Sequence, residues 1–265
     1  MPFPNSISTD KLCRLIGTPS APILIDVRSD EDFAADARLV PGSIRRTPHE
    51  ISEWGRAFVG RSVIVICRHG RQLAHGTGAW LRHLHVEAVV LEGGFEAWKA
   101  AQLPLVPTSK MPSRDAQGRT VWVTRARPKI DRIACAWLIR RFVDPAATFL
   151  YVARAEVAAV AEHFNAVPFD IDNTFFGHRS DLCTFDVMVM EFSLSTPSLL
   201  RLATIVRAAD TGQLDLSPEA PGLLAASLGL SRMYHNDLEQ LEAGMTLYDA
   251  FYRWCRDATD ETHER

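Results

Sequence analysis

The chain has 265 residues, 47% of them hydrophobic and 23% charged, with a formal net charge of −3. That composition fits one large globular domain or two ordinary ones with a real core, and it excludes a low-complexity chain. The near-balanced charge argues against broad electrostatic binding to nucleic acid or to an anionic membrane.

The opening "MPFPNSISTDKLCRLIG" has no basic segment followed by a long apolar run, so no secretory leader is expected. No stretch reaches the uninterrupted apolar length of a membrane helix. "PILIDV" (22–27), "SVIVIC" (62–67) and "EAVVLEGG" (87–94) are short runs rich in β-branched residues. Continuous rather than alternating, they suit strands buried on both faces of a parallel sheet. "DEDFAADARL", "LAHGTGAWLRHL" and "FEAWKAAQ" are the helices predicted between and after them. The alternation predicts an open parallel α/β sheet with helices on both faces. Ligands bind such sheets at the C-terminal ends of strands, where Asp26, Cys67 and the Gly93–Gly94 pair fall.

The stretch 108–119 lies in a Pro-, Ser- and charge-rich segment without apolar period and is read as a linker. Beyond it "TVWVTR" and "ATFLYVA" are predicted strands, with helices at "IDRIACAWLIRRFV" and "EVAAVAEHF". From Cys183 onward the spacing is mostly helical, in "SLLRLATIVRAAD", "EAPGLLAASLGL" and "NDLEQLEAGMTLYDAFYRWC". The second half is thus a mainly helical α+β domain, ending in an exposed tail, "RDATDETHER".

Five cysteines, Cys13, Cys67, Cys135, Cys183 and Cys255, are scattered and include no CxxC pair. Free thiols of this kind point to a reducing compartment, so a cytoplasmic location is expected.

Cys67 is the first chemical candidate. It ends a strand and is followed by Arg68, His69, Gly70, Arg71, Gln72 and Leu73 before a helix. A loop compressed between strand and helix turns successive backbone N–H groups toward one point and makes an anion cradle. Those donors and two arginines favour a thiolate, and Gly70 permits the close turn. A lone cysteine at a strand end is more often a buried thiol. The spacing Cys-x-x-Gly and the flanking segments shift the balance.

"LIDVRSDEDFAADARLVPGSI", "VIVICRHGRQ" and "VVLEGGFEAWKAAQLPL" resemble, in order and spacing, the rhodanese domain over roughly residues 6–107. The resemblance implies an enzyme, a thiosulfate-type sulfurtransferase forming a persulfide on Cys67. Arg68, His69, Gly70, Arg71, Gln72 and Leu73 would cradle the substrate, with Asp26 and Arg28 in the structural motif nearby. It implies a small oxyanion or sulfane-sulfur donor, a thiol or cyanide-like acceptor, and no cofactor for the transfer. Gln72 stands where many members carry Arg, and "RLVPGSI" replaces their usual segment, which bears on substrate preference and turnover. A Cys-x5-Arg phosphatase loop is not present, because its Arg position is Leu73.

"RPKIDRIACAWLIRRFVDPAATFLYV", "HRSDLCTFDVM", "RLATIVRAADTGQLDLSPEAPGLLAASLGLSRMY" and "LEAGMTLYDAFYRWC" resemble the C-terminal domain of the chromate-resistance family ChrB. The resemblance implies a role in chromate resistance or its regulation. The expected organisation is therefore residues 1–107 rhodanese-like, 108–119 linker and 120–265 ChrB-type. Read from the residues alone, Asp131 opens a helix, His178 and Cys183 lie close in sequence, and Asp210 ends a helix. Each singly is read as a cap, a buried thiol or a solvated end. Together Asp131, His178 and Asp210 are expected to line one polar pocket beside Arg132, suited to a metal ion or an oxyanion. The competing expectation for the whole chain is a non-catalytic oxyanion sensor, binding chromate or sulfate without turnover, or a regulatory interaction protein.

Overall fold

A computed structural model describes residues 5–261. Residues 1–4 and 262–265, where the expected domain ends and the end of the exposed tail fall, lie outside the described residues. The chain divides into two compact units, Met1–Lys110 with Arg141–Val143, and Met111–Arg140 with Asp144–Arg265.

In the first unit β1 (Ser6–Ile7) leads into α1 (Thr9–Leu15), and β2 (Ile23–Asp26) into α2 (Asp30–Ala35). Then come β3 (Arg38–Leu39), β4 (Ser43–Arg45), α3 (Ile51–Trp54), β5 (Ser62–Ile66) and α4 (Gln72–His83). β6 (Glu87–Leu91), α5 (Gly94–Ala100) and β7 (Val106–Pro107) complete it. A parallel five-stranded sheet runs in the order β1-β6-β5-β2-β4, with β3 and β7 paired antiparallel beside it. Ile25, Val63, Val65, Ala88 and Val90 pack with Ala74 and Leu81 of α4. Leu24, Ile64 and Ile66, which alternate with them and face the other way, are equally buried. Burial on both faces is why these strands are continuous apolar runs.

The helix predicted over "DEDFAADARL" stops at Ala35. Beyond it the Asp36 carboxylate grips the Arg38 guanidinium at 2.6 and 2.7 Å. The carbonyls of Asp36 and Arg38 accept from Arg28 at 2.9 and 2.7 Å instead of from a further helical turn. Arg28 and Asp26 are each 1% exposed, so this is a buried ion pair, 2.7 Å between Nη2 and Oδ2. The guanidinium also lies 3.8 Å above the Phe95 ring.

The second unit opens with β8 (Val121–Arg125), α6 (Ile130–Leu138), β9 (Thr148–Val152), α7 (Val157–Phe164) and β10 (Val167–Pro168). These strands form a parallel sheet in the order β10-β8-β9. Four helices follow, α8 (Thr184–Glu191), α9 (Pro197–Thr211), α10 (Ala220–Met233) and α11 (Asp237–Arg253). Val123 packs toward α7 with Val157 and Ala166. Trp122 turns to the other face, onto Phe169, Phe176 and Phe192. On α11, Gly244 permits a close approach to α6, since a Cβ there would lie 2.5 Å from Ile133 Cγ2. The helix predicted over "IDRIACAWLIRRFV" is α-helical to Leu138 and continues as a π turn, Ile139–Val143.

Part of the segment read as a linker is folded onto the second unit. Asp115 Oδ1 accepts from the N–H groups of Gln117 and Arg119, both at 2.9 Å. Asn165 donates to Ser113 Oγ at 2.8 Å, and Arg114 lies 3.2 Å from the buried Asp144 carboxylate. No helix among the described residues is long and apolar enough to cross a membrane.

Candidate functional site

Two clusters concentrate chemistry, one in each unit. In the first, β5 carries the chain to Cys67 at the C-terminal edge of the parallel sheet. The thiol is 5% exposed, and its Sγ accepts the Arg71 N–H at 3.3 Å. The amide N–H groups of Arg68, His69, Gly70, Gln72, Leu73 and Ala74 meet no protein acceptor among the described residues. Three of them belong to the first turn of α4, whose N-terminal donors are left open by helix geometry. A loop and helix start with this many open donors around one sulfur are suited to an anion.

The backbone of α5 fixes the loop. Phe95 N–H donates to Cys67 O at 2.9 Å and Glu96 N–H to Arg68 O at 3.0 Å. The approach requires glycine on both sides. Gly70 and Gly94 have φ of +64° and +62°. A Cβ on Gly70 would lie 2.4 Å from Leu91 O, and one on Gly94 2.2 Å from Cys67 O. Gly94→Ala is therefore expected to destabilise the first unit by about 2–4 kcal/mol, through backbone strain and overpacking. Hydrogen exchange of the β5 and β6 amides reads this directly, as a loss of protection confined to that sheet.

The two loop arginines differ. Arg68 is turned aside to Asp32 at 2.9 Å and Glu96 at 3.5 Å. Arg71 is exposed and makes no ion pair among the described residues, so its charge is free for a bound anion. His69 and Gln72 are exposed, with Gly70 and Leu73 half-buried behind them. Of the other histidines in this unit, His83 and His85 are exposed.

The second cluster gathers Asp131, His178 and Asp210 from α6, a loop and α9. His178 Nε2 lies 3.3 Å from Asp131 Oδ2 and 3.5 Å from Asp210 Oδ2. It also lies 3.3 Å from Asp170 Oδ1, a residue the sequence reading did not single out. Asp131 is 1% exposed, and its two oxygens accept the first N–H groups of α8, from Phe185 and Thr184, both at 2.8 Å. Those two donors at the helix start fix the orientation of the carboxylate. Asp170 follows β10, where a φ of +50° turns the chain inward. Its Oδ2 is held by Arg132 Nε at 3.0 Å and Arg125 at 3.4 Å. The expected neighbour Arg132 thus reaches the pocket through Asp170.

The titration behaviour reflects crowded negative charge. Hydrogen bonds to Asp131 and Asp170 raise the His178 pKa to about 10, against the opposing effect of its partial burial. Burial and the charges of Asp131 and Asp170 raise Asp210 to about 7. Burial also opposes ionisation of Asp170, but His178, Arg132 and Arg125 overcome it and its pKa is lowered. Cys183 and Asp186, neighbours of His178 in sequence, form a separate cap on α8. There Cys183 N and Sγ contact Asp186 Oδ2 at 3.1 and 3.2 Å. Burial first, and then nearby carboxylates, raise the pKa of Cys183 and of Cys135, so both are thiols.

The one signal that could have found Asp170 is its place, just after a short apolar run in a parallel sheet, where ligand groups collect. No spacing motif links it to His178.

With both sites described, comparison with known proteins gives two family matches. A model described as "ChrB, C-terminal domain" matches residues 122–255, and one described as "Rhodanese-like domain" matches residues 8–101. The chain is 36% identical over 146 residues to Protein ChrB of Cupriavidus metallidurans, covering 54% of this chain and 43% of that protein. The aligned part thus spans less than half the length of that curated relative. Among solved structures, a rhodanese-related protein from Thermoplasma volcanium is 25% identical, covering 39% of this chain and 98% of its own, with a TM-score of 0.34. A rhodanese-like domain protein from Staphylococcus aureus is 27% identical, covering 36% and 91%, with a TM-score of 0.32.

Proposed function

The chain belongs to the ChrB C-terminal domain family and carries a rhodanese-like domain before it, and on that premise we propose that it is a sulfurtransferase acting in chromate resistance. In this reading residues 1–107 carry the sulfur chemistry, 120–265 the family's own role, and 108–119 join them. The observation that supports it most is Cys67 Sγ, at the end of β5, bonded to Arg71 N–H in a loop of open amide donors.

The Cys67 thiolate attacks the outer sulfur of a thiosulfate-class donor. The new S–S bond forms as the donor's own S–S bond breaks, and sulfite leaves with the electron pair. Arg71 N–H and the open amides hold the persulfide and the departing oxyanion, and the Arg71 side chain draws the dianion in. An acceptor such as a thiolate or cyanide then attacks the outer sulfur and regenerates the Cys67 thiolate. No cofactor enters these steps. The cytoplasm is the proposed place of action, in keeping with five cysteines that form no disulfide among the described residues.

The test is steady-state thiocyanate formation from thiosulfate and cyanide by the full chain. Parallel double-reciprocal lines are expected, the pattern of a covalent intermediate. Arg71→Ala is expected to raise KM for thiosulfate about 10-fold with a smaller effect on kcat, because it removes binding rather than the nucleophile. Absence of thiocyanate, with chromate or sulfate still bound by calorimetry, would overturn the reading and favour the oxyanion sensor.

A further inference from the structure

We propose that Asp131, Asp170, His178 and Asp210 hold a divalent first-row transition-metal cation in the second unit. The geometry carries this. Ligand atoms of Asp131, Asp170 and His178 all lie within 4.8 Å of one another. Three carboxylate oxygens surround the single nitrogen Nε2 of His178, at 3.3, 3.3 and 3.5 Å. One ring N–H cannot donate well in three directions, and a charge-assisted N–H···O bond is shorter, about 2.7–2.9 Å. Asp131, Asp170 and His178 instead bring three donors close enough to share one ion, with Asp210 Oδ2 beside them, 3.5 Å from Nε2.

The surroundings are those of a metal site rather than of a chance cluster of acids. Asp131 is oriented by two backbone N–H groups of α8, and Asp170 by Arg132 and Arg125 on its far oxygen. Outer partners of this kind fix the ligands of metal centres. Thr124, fully buried, shares the sheet face of Trp122 at the end of β8, and its Oγ1 has no hydrogen-bond partner. That leaves one buried polar atom unspent on the side of the sheet where α6 and α8 present Asp131 and Thr184. His178 is 44% exposed, so an ion has a way in from solvent. Oxygen-rich donors with one imidazole suit Zn2+, Mn2+ or Fe2+ better than Cu+.

The experiment strips the full chain with a chelator and titrates it with Co2+, Zn2+ and Mn2+, with Cys67→Ser in parallel to remove the first unit's reactive thiol. The expected result is one equivalent of Co2+ in both proteins, with visible ligand-field bands, no sulfur-to-metal charge-transfer band, and displacement by Zn2+. His178→Ala and Asp170→Asn are expected to weaken binding at least about 100-fold, more than loss of an outer partner would. Asp210→Asn, at the more exposed carboxylate, gives a smaller loss, and circular dichroism checks each variant's fold. Folded His178→Ala and Asp210→Asn proteins that bind Co2+ as tightly as wild type would overturn the site. So would a wild type that takes up none of the three ions, or a charge-transfer band showing thiolate ligation.

Discussion

Cys67→Ser abolishes sulfur transfer, lowering thiocyanate formation by at least about 10³-fold, to the level of the uncatalysed reaction. The serine hydroxyl has nearly the same shape and still accepts the Arg71 N–H that now reaches Sγ at 3.3 Å. The loop therefore stays folded, and the loss reports the nucleophile alone. A hydroxyl is a weak nucleophile without an adjacent base, whereas a thiolate is a strong one. Measuring far-UV circular dichroism alongside the assay separates lost chemistry from lost structure. Undiminished thiocyanate formation in Cys67→Ser would move the chemistry to another thiol.

The second large effect is on stability. Arg28→Met is expected to destabilise the first unit by about 3–5 kcal/mol, the cost of leaving one partner of a buried ion pair alone. Asp26 would keep only the Arg28 N–H at 2.9 Å, deep in the sheet, and the carbonyls of Asp36 and Arg38 would lose their donor. Replacing both charges, as Asp26→Leu with Arg28→Met, should cost less than Arg28→Met alone, because no buried charge is left. Urea unfolding of a two-unit chain need not be two-state. Amide hydrogen exchange is the better reading, with protection lost first in β2 and β5. The consequence reaches the site, since Val27 N–H donates to Ile66 O at 2.7 Å, one residue before Cys67.

The first unit was legible because its signals are local. Continuous β-branched runs over 22–27, 62–67 and 87–94 announced buried parallel strands, and Cys67, Gly70 and the Gly93–Gly94 pair announced a tight loop against a helix start. The roles of the two arginines were not local. Arg68 and Arg71 read alike in sequence, yet Arg68 is spent on Asp32 and Glu96, which arrive from α2 and α5. The second cluster was half legible for the same reason. Asp131, His178 and Asp210 were grouped as polar residues beside apolar helices, and their Nε2–Oδ distances of 3.3 and 3.5 Å bring them together. Asp170 joins them through a left-handed turn after β10, a conformation with no signature in "FDIDN". Likewise the end of α2 depends on Arg28 claiming two carbonyls, a long-range act that helix propensity cannot register.

The most direct measurement is the mass of Cys67 after exposure to thiosulfate without an acceptor. Intact-protein and peptide mass spectrometry of the full chain should show the gain of one sulfur atom on the Cys67 peptide. Added cyanide should remove it and release one thiocyanate per chain. A chain that gains no sulfur on Cys67, or gains it equally on Cys13 and the other thiols, would contradict a sulfurtransferase centre built on this loop.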